Sequence, residues 1–275
     1  MLFEILKIGA IVAIGLPVFL YFYQEKMLFF PTPPVGGVQR PARGEVEEVR
    51  LATADGVQLN GWFVRSDADH GSGGVPLVIY FGGNAEDLSW LVGIADRFGG
   101  HSLLLVNYRG YGGSGGRPGE SALFADALLA YDYAIQHWGL DRSRIVAMGR
   151  SLGSGVAVHL AARRPLAGVI LVSPYDSVRS VAQSIYQWLP VGLLLKHPFD
   201  SLSRAGNLNV PLLCLVAGND GVIPRAHSKR LFDAWGSTDK RWAEVRGADH
   251  DGVSGEPVYW DEIASFLRRV SGYKR

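Results

Sequence analysis

One short motif has the residue type and spacing of a catalytic nucleophile. Gly149-Arg-Ser-Leu-Gly153 has the form G-x-S-x-G, follows the apolar run Arg144–Met148 and precedes a segment with helical spacing. Between such glycines a serine lies on a sharp, strained turn from strand to helix, where side chains two positions away would collide. The motif therefore predicts that Ser151 attacks a carbonyl carbon.

A serine hydroxyl is a weak nucleophile until a base takes its proton, so the chain must also supply a histidine and an acid. His250 lies in the glycine-flanked loop Gly247-Ala-Asp-His-Asp-Gly252, between the last predicted strand and the last predicted helix. Asp220 follows the penultimate strand and is the predicted acid, and Asp176, after the preceding strand, is the alternative. The resulting order of serine, acid and histidine is the one that accompanies this turn.

Two backbone N–H groups are needed to stabilise the negative charge that develops on the carbonyl oxygen. Leu152, the residue after the nucleophile, supplies one of them. The loop Gly82-Gly-Asn-Ala85 follows the apolar run Pro76–Phe81, and its glycines let the backbone turn toward the site. We therefore expect Asn84 to supply the second N–H.

Two other glycine patterns compete with this interpretation. Gly112-Gly-Ser-Gly-Gly116 repeats the G-x-S-x-G form, but the residues that follow Ser114 cannot open a helix directly. Gly110, Gly112 and Gly115 fit a dinucleotide-binding fingerprint, yet they do not run straight into a helix and no acidic residue ends the next strand. We interpret both patterns as loop glycines.

The elements that must position these residues alternate along the chain. Short apolar strands alternate with helices such as Glu120–Trp138, which predicts right-handed βαβ units and a mostly parallel central sheet flanked by helices. Glu45–Leu51 alternates apolar and polar residues and Val57–Val64 has the pattern of a second strand, so the two predict a hairpin at a sheet edge. Glu86–Phe98 has helical spacing. The remaining strands are predicted over Pro76–Phe81, Ser102–Asn107, Arg144–Met148, Gly168–Val172, Val210–Val216 and Arg241–Val245.

The N-terminal segment has the composition of a membrane anchor. Ile8–Gln24 carries no charge and would span about 26 Å as a helix, against a bilayer core of about 30 Å. A helix that lies on the membrane or covers the domain is one alternative, and a cleaved signal peptide, for which no small-x-small site follows, is another. The predicted organisation is an anchor over residues 1–26, a linker over 27–44 and a catalytic domain over 45–275, with a small lid over 177–205.

The amino-acid composition limits the classes of protein to which this chain can belong. The 275 residues are 48% hydrophobic and 19% charged, with a net charge of +1, so we expect a globular chain that binds no nucleic acid. The single cysteine, Cys214, lies in the apolar run Val210–Val216, which predicts a small buried strand residue. The expected chemistry requires no metal or organic cofactor.

Six motifs in order carry a family resemblance. They are Gly83-Asn-Ala-Glu-Asp-Leu88, Asn107-Tyr-Arg-Gly-Tyr-Gly112, Gly149-Arg-Ser-Leu-Gly153, Ser173-Pro-Tyr-Asp176, Asn219-Asp-Gly-Val-Ile-Pro224 and Ala248-Asp-His250. Together they resemble a membrane-anchored branch of the α/β-hydrolase superfamily that includes lysophospholipid hydrolases and protein depalmitoylases. The resemblance implies an α/β-hydrolase fold with a Ser151, Asp220 and His250 triad. Gly82 stands where that branch usually has histidine, which predicts a looser oxyanion loop.

The expected function is the hydrolysis of carboxylic esters or thioesters, acyl or lipid-like, through an acyl-enzyme. We expect the lid to bind the substrate through Tyr186, Trp188, Leu189 and Leu193, although these residues could equally pack over the core. The alternatives are a serine peptidase or amidase, and a catalytically silent binding protein of the same fold. The expected partners are a small or lipid-like acyl ester and, through the N-terminal helix, a membrane, with localisation at a bacterial inner membrane.

Overall fold

A single eight-stranded sheet runs through the computed structural model, which describes residues 2–34, 37–67 and 76–272, without the side chains of residues 2–6 and 8–14. Residue 1 of the predicted anchor, residues 35–36 of the predicted linker and residues 68–75 and 273–275 of the predicted catalytic domain lie outside the described residues. The strands are β1 (Glu45–Ala52), β2 (Gln58–Arg65), β3 (Leu77–Phe81), β4 (Ser102–Val106), β5 (Ile145–Arg150), β6 (Gly168–Val172), β7 (Leu212–Ala217) and β8 (Lys240–Val245). Their order across the sheet is β1-β2-β4-β3-β5-β6-β7-β8.

The sheet is mostly parallel, as the alternating pattern predicts. β1 pairs with β2 and β2 with β4 in antiparallel fashion, and every other pairing is parallel. The predicted hairpin lies at the sheet edge, where the Thr53 hydroxyl accepts a hydrogen bond from the Val57 N–H at 2.9 Å across the turn. Parallel order brings the carboxyl ends of β5, β6, β7 and β8 to one edge, which is where ligands bind in such sheets.

Helices cover both faces of the sheet. They are α1 (Leu2–Leu28), α2 (Ser89–Val92), α3 (Glu120–Trp138), α4 (Leu152–Ala161), α5 (Val178–Ile185), α6 (Val191–Leu194), α7 (Leu202–Ala205), α8 (Arg225–Ala234) and α9 (Pro257–Ser271). On β3, Leu77 and Ile79 pack in the cluster with α3, α4 and α8, whereas Val78 and Tyr80 pack in the cluster with α2 and α9. Successive strand residues point to opposite faces, so a fully buried strand reads as a continuous apolar run.

One predicted helix is shorter than its pattern. The spacing of residues 86–98 predicts one helix, but the structure has only α2 and a 3₁₀ turn over Ala95–Phe98. The Asp87 carboxylate accepts a hydrogen bond from the Ser89 N–H at 2.9 Å, which holds the chain in a turn before α2. Gly93 ends α2.

The N-terminal helix packs its C-terminal end on the segment over residues 177–205, here called the lid. The Gln24 side chain donates to the Leu194 carbonyl at 2.9 Å and accepts from the Lys196 N–H at 2.7 Å. Phe29, just beyond α1, is 3% exposed and belongs to the core. Among the described residues, no helix combines the length and the apolarity that crossing a bilayer requires. The predicted membrane span is therefore not confirmed.

Candidate active site

The turn between β5 and α4 holds Ser151 in a strained backbone conformation. Its φ of 49° and ψ of −116° lie outside the regions that serine normally occupies. A Cβ atom on Gly149 would lie 2.2 Å from the Gly153 carbonyl oxygen, and one on Gly153 would lie 2.1 Å from the Phe81 carbonyl oxygen. Neither glycine could carry a side chain, so the steric reason for the motif holds in the folded chain.

Ser151, His250 and Asp220 form a continuous hydrogen-bonded line. His250 Nε2 lies 2.9 Å from Ser151 Oγ, and His250 Nδ1 lies 2.9 Å from both carboxylate oxygens of Asp220. Because Nδ1 faces a carboxylate, this nitrogen carries the proton and leaves Nε2 to accept one from the serine. Ser151 follows β5, Asp220 follows β7 and His250 follows β8, so all three lie at the same edge of the sheet.

Hydrogen bonds from His250 and from nearby backbone groups favour the ionised form of Asp220. Burial raises the pKa of Asp220, but hydrogen bonds from His250 and from the Ile223 N–H outweigh this effect, and the pKa lies below its ordinary value. The Val222 and Ile223 N–H groups donate to Asp220 Oδ1 at 3.0 and 2.8 Å. The histidine therefore faces a charged, fixed carboxylate.

Two backbone N–H groups near Ser151 are available to a ligand. Within the described part of the chain, the N–H groups of Leu152 and Asn84 donate to no protein atom. Leu152 opens α4, where the helix dipole favours negative charge. The neighbouring Gly83 is so close that a Cβ on it would lie 3.7 Å from the Ser151 Cβ. Two free backbone donors beside a serine are what an oxyanion hole requires.

The side chain of Asn84 binds the N-terminal segment. Its Nδ2 donates to the Leu28 carbonyl at 2.7 Å, and its Oδ1 accepts from the Phe30 N–H at 2.9 Å and from the Tyr111 hydroxyl at 2.8 Å. Tyr108, in the same motif as Tyr111, donates to the Gly82 carbonyl at 3.0 Å. These contacts hold the oxyanion loop without a side chain at position 82. The two tyrosines belong to one of the six motifs of the family resemblance, but their residue type and spacing do not predict this role.

An ion pair that the sequence did not predict joins the three segments that carry Asn84, Ser151 and His250. Glu86 accepts a hydrogen bond from the Gly83 N–H at 2.5 Å and lies 3.3 Å from the Arg150 guanidinium. The same guanidinium donates to the His250 carbonyl at 3.2 Å and to the exposed Asp251 at 3.1 Å. The signal for this pair in the sequence was Arg150, a charged residue next to Ser151 at the end of an apolar strand, where a charge needs a partner. We call Arg150 and Glu86 the loop clasp.

The other candidate residues lie outside the hydrogen-bonded line of Ser151, His250 and Asp220. Asp176, the alternative acid, pairs with His227 at 2.8 Å and with Arg230 at 2.7 Å. His159 stacks on a phenylalanine ring, and burial lowers its pKa to about 4. Ser114 accepts from the Asn60 N–H at 2.8 Å and donates to a backbone carbonyl, so it supports a loop. Cys214 is buried in β7, and burial raises the pKa of its thiol.

An apolar cavity of about 180 Å³ opens between α1 and the lid. Two predicted substrate-binding residues, Tyr186 and Leu189, line it. Trp188 and Leu193, also predicted to bind substrate, do not line it and are 68% and 86% exposed. No three His, Cys, Asp or Glu side chains in the described part of the chain are grouped as metal ligands.

Comparison with known proteins gives one family and several relatives. The family described as serine aminopeptidase, S33, matches residues 75–202. The uncharacterized protein Rv2307c of Mycobacterium tuberculosis is 37% identical over 97% of this chain and 95% of its own length. The α/β-hydrolase domain-containing protein WAV2 of Arabidopsis thaliana is 27% identical over 97% of this chain and 94% of its own. The solved structure of the esterase Pf2001 of Pyrococcus furiosus superposes with a TM-score of 0.71 at 18% identity, covering 88% of this chain and all of that one.

Proposed function

We propose that this chain, which belongs to the α/β-hydrolase superfamily, hydrolyses carboxylic esters or thioesters by passing their acyl group to Ser151 and then to water. One observation carries the proposal: the line of 2.9 Å contacts from Ser151 through His250 to Asp220, beside two N–H groups without a protein acceptor. This arrangement is suited to acyl transfer.

In the first half of the proposed reaction, His250 Nε2 takes the proton of Ser151 as Oγ bonds to the carbonyl carbon. The Asp220 carboxylate stabilises the imidazolium that forms, and the N–H groups of Leu152 and Asn84 donate to the oxyanion. His250 then gives the proton to the leaving oxygen or sulfur as its bond to carbon breaks. The alcohol or thiol departs, and the acyl group remains on Ser151.

In the second half, a water molecule repeats these steps. His250 takes a proton from the water as its oxygen attacks the acyl-enzyme carbonyl. The same two N–H groups hold the second oxyanion, and the proton returns to Ser151 when the ester bond to the enzyme breaks. The products are a carboxylic acid and free enzyme.

The apolar cavity between α1 and the lid favours an acyl or lipid-like substrate. Among its lining side chains only Gln24 and Tyr186 are polar, and none is charged. A charged or strongly polar acyl group would lose its hydration there without gaining a partner. A serine peptidase is a second candidate, because the family that matches residues 75–202 is described as a serine aminopeptidase.

The proposal extends to attachment at a membrane. Large exposed apolar side chains are concentrated on α1 and on the lid. They include Phe22, Ile185, Trp188 and Leu193, each more than half exposed. Side chains of this kind on adjacent elements are suited to insertion at a lipid interface.

The test is a comparison of wild type with Ser151→Ala. A fluorophosphonate probe should label only wild type, and hydrolysis of p-nitrophenyl esters should fall by roughly 10⁴-fold or more in the variant. Ser114→Ala is the matched control, since it alters the other G-x-S-x-G motif, and it should still be labelled.

Three results would change the conclusion. Equal labelling of wild type and Ser151→Ala would remove Ser151 as the nucleophile. Folded wild type that takes no label would point to a silent binding protein. Faster turnover of aminoacyl p-nitroanilides than of any p-nitrophenyl ester would favour the peptidase.

A further inference from the structure

We propose that the C-terminal half of α1 forms one wall of the acyl-binding site, so that the acyl chain lies between α1 and the lid and Leu20 limits its length. The inference rests on the proposed function and adds to it a site for an unbranched, medium-length acyl chain. It assigns the N-terminal helix a part in substrate selection in addition to any role at a membrane.

Four residues of α1 face the cavity along one stripe of the helix. Leu20, Gln24, Met27 and Leu28 line it, and their spacing of four, three and one residues places them on one helical face. The opposite wall comes from the lid, where Val178 and Ala182 are one turn apart on α5. The cavity exists only because these two segments, far apart in the chain, pack against each other.

The polar atoms of the α1 wall are already occupied. The Gln24 amide donates to the carbonyls of Tyr21 and Leu194, both at 2.9 Å, and accepts from the Lys196 N–H at 2.7 Å. An amide with its donors and acceptor satisfied by backbone groups offers little to a polar ligand. The interior therefore suits a hydrocarbon chain, whose burial among apolar side chains is favourable.

One end of the cavity adjoins the loop that carries Asn84. Leu28 lines it, and the Leu28 carbonyl accepts the hydrogen bond from the Asn84 side chain. Asn84 carries one of the proposed oxyanion donors, and the preceding Gly83 faces the Ser151 Cβ. On the lid side, Val178 comes six residues after the end of β6, the strand paired with β5 and its nucleophile. Both walls therefore begin at the edge of the sheet that bears Ser151.

The helix end is held firmly enough to serve as a wall. Phe29 is buried and lies edge-on to Phe199, with the ring centroids 6.3 Å apart. The Lys196 ammonium lies 3.5 Å from the Glu25 carboxylate and 4.6 Å from the centre of the Tyr21 ring. These contacts, with the two hydrogen bonds of Gln24 to the lid, fix the last two turns of α1 on the catalytic body.

The dimensions set the expected chain length. Leu20 lies about 12 Å along the helix axis from Leu28, at about 1.5 Å per residue, and so marks the end of the cavity remote from Asn84. A volume of about 180 Å³ holds about six methylene groups if each takes roughly the volume of a water molecule, about 30 Å³. With the carbonyl carbon at Ser151, acyl chains of about six to eight carbons should fit best.

The experiment compares Leu20→Trp with Phe19→Trp. Phe19 is the neighbouring residue, is 55% exposed and does not line the cavity, so the same new side chain there serves as the matched control. The readout is kcat/KM for p-nitrophenyl esters from acetate to dodecanoate. Leu20→Trp should lower the octanoate-to-acetate ratio at least tenfold, and Phe19→Trp should leave that ratio at the wild-type value.

A second variant keeps the test decisive if Leu20→Trp folds poorly. Leu20→Ala enlarges the remote end of the cavity, so the best chain length should move up by two carbons or more. An unchanged chain-length profile in a folded Leu20 variant that still takes the fluorophosphonate label would overturn the inference and leave the proposed function standing.

Binding separates failure of the inference from failure of the proposed function. If wild type neither takes the label nor hydrolyses any ester, octanoate binding to Ser151→Ala measured by calorimetry still tests the cavity. Binding that Leu20→Trp weakens at least tenfold in the Ser151→Ala background would support the α1 wall. Binding that this substitution leaves unchanged, or no binding at all, would refute it.

Discussion

Left-handed backbone conformations cluster around the candidate site. Among the described residues, the non-glycine positions with positive φ are Ala85, Ser151, Ser173 and Phe199. Ala85 lies in the loop after β3, Ser151 is the proposed nucleophile and Ser173 directly follows β6, the strand paired with β5. Such conformations are unfavourable by about 1–3 kcal/mol each and persist only where surrounding contacts determine them. The fold therefore stores local strain where three loops must meet.

Asp220 gives a prediction that separates activity from stability. Asp220→Asn should lower kcat by about 10⁴-fold, because an amide cannot hold the Nδ1–H tautomer of His250 or stabilise its charged form. Steady-state hydrolysis of an ester substrate measures this loss. A kcat within tenfold of wild type would mean that another acid orients His250.

The lowered pKa of Asp220 also predicts a pH dependence of stability. Because its pKa in the folded chain lies below the ordinary value of 3.8, folding favours the carboxylate. This stabilisation is complete above that value and is lost as the pH falls through the folded pKa. The difference in unfolding free energy between wild type and Asp220→Asn should therefore shrink below about pH 4. Asp233→Asn, on an exposed pair with Lys229, is the control and should show little difference at neutral pH.

At the scale of elements, the loop clasp connects loops that come from three different strands. Arg150 ends β5, Glu86 belongs to the loop after β3, and His250 belongs to the loop after β8. The Glu86 side chain is 7% exposed, and the Tyr80 hydroxyl and the Trp90 ring N–H also donate to it, both at 3.2 Å. A carboxylate buried in this way depends on its cationic partner, so the clasp couples the oxyanion loop to the histidine loop.

Substitutions of the two clasp residues should have non-additive effects on the free energy of unfolding. Arg150→Met leaves Glu86 buried without its cation and should destabilise the chain by about 3 kcal/mol, near the lower end for a broken buried pair. Adding Glu86→Gln removes the unpaired charge and should recover part of that loss. Urea unfolding of wild type, both single variants and the double variant measures the coupling.

Ester hydrolysis by the same four proteins tests whether the clasp positions the proposed catalytic groups. Both single variants should lower kcat more than they change KM, because the proposed oxyanion donor and His250 would lose their relative placement. Additive losses of stability with unchanged kcat would show that the clasp neither couples the two loops nor positions the proposed catalytic groups.

At the scale of the whole molecule, the proposed membrane surface lies on the same two elements that line the cavity. Phe22 on α1 is 73% exposed and Trp188 on the lid is 68% exposed, and these two elements are in contact. The Lys26 ammonium lies 5.3 Å from the centre of the Tyr23 ring, which places a positive charge within the same surface. Aromatic and basic residues together suit an anionic lipid interface.

The prediction is that the whole chain binds vesicles of anionic phospholipid. Replacing Phe22 and Trp188 by serine should weaken sedimentation with phosphatidylglycerol vesicles at least tenfold, because both side chains lose their apolar contact with the interface. Val258→Ser, on α9 and 43% exposed, is the control and should bind as wild type does. Equal binding by all three proteins would exclude this surface.

Some features of this protein are determined by residues that are neighbours in the chain. The turn at Gly149–Gly153 depends on steric clashes within five residues, and the sheet class follows from apolar runs that alternate with helical spacing. Both signals are local, so the mostly parallel sheet and the edge hairpin could be predicted from the sequence. The same holds for the position of the loops that carry Ser151, Asp220 and His250, because parallel strands end at one edge of a sheet.

Only the tertiary structure decided which remote groups meet. Asp176 and Asp220 both follow a strand, so the sequence offers two acids. Packing against α8 places Asp176 beside His227 and Arg230, whereas Asp220 faces His250. The clasp, the tyrosines that hold Asn84 and the α1 wall of the cavity likewise join segments distant in the chain. Periodicity records which residues are apolar but not which segment covers them, and for that reason Leu189 lines the cavity while Leu193 faces solvent.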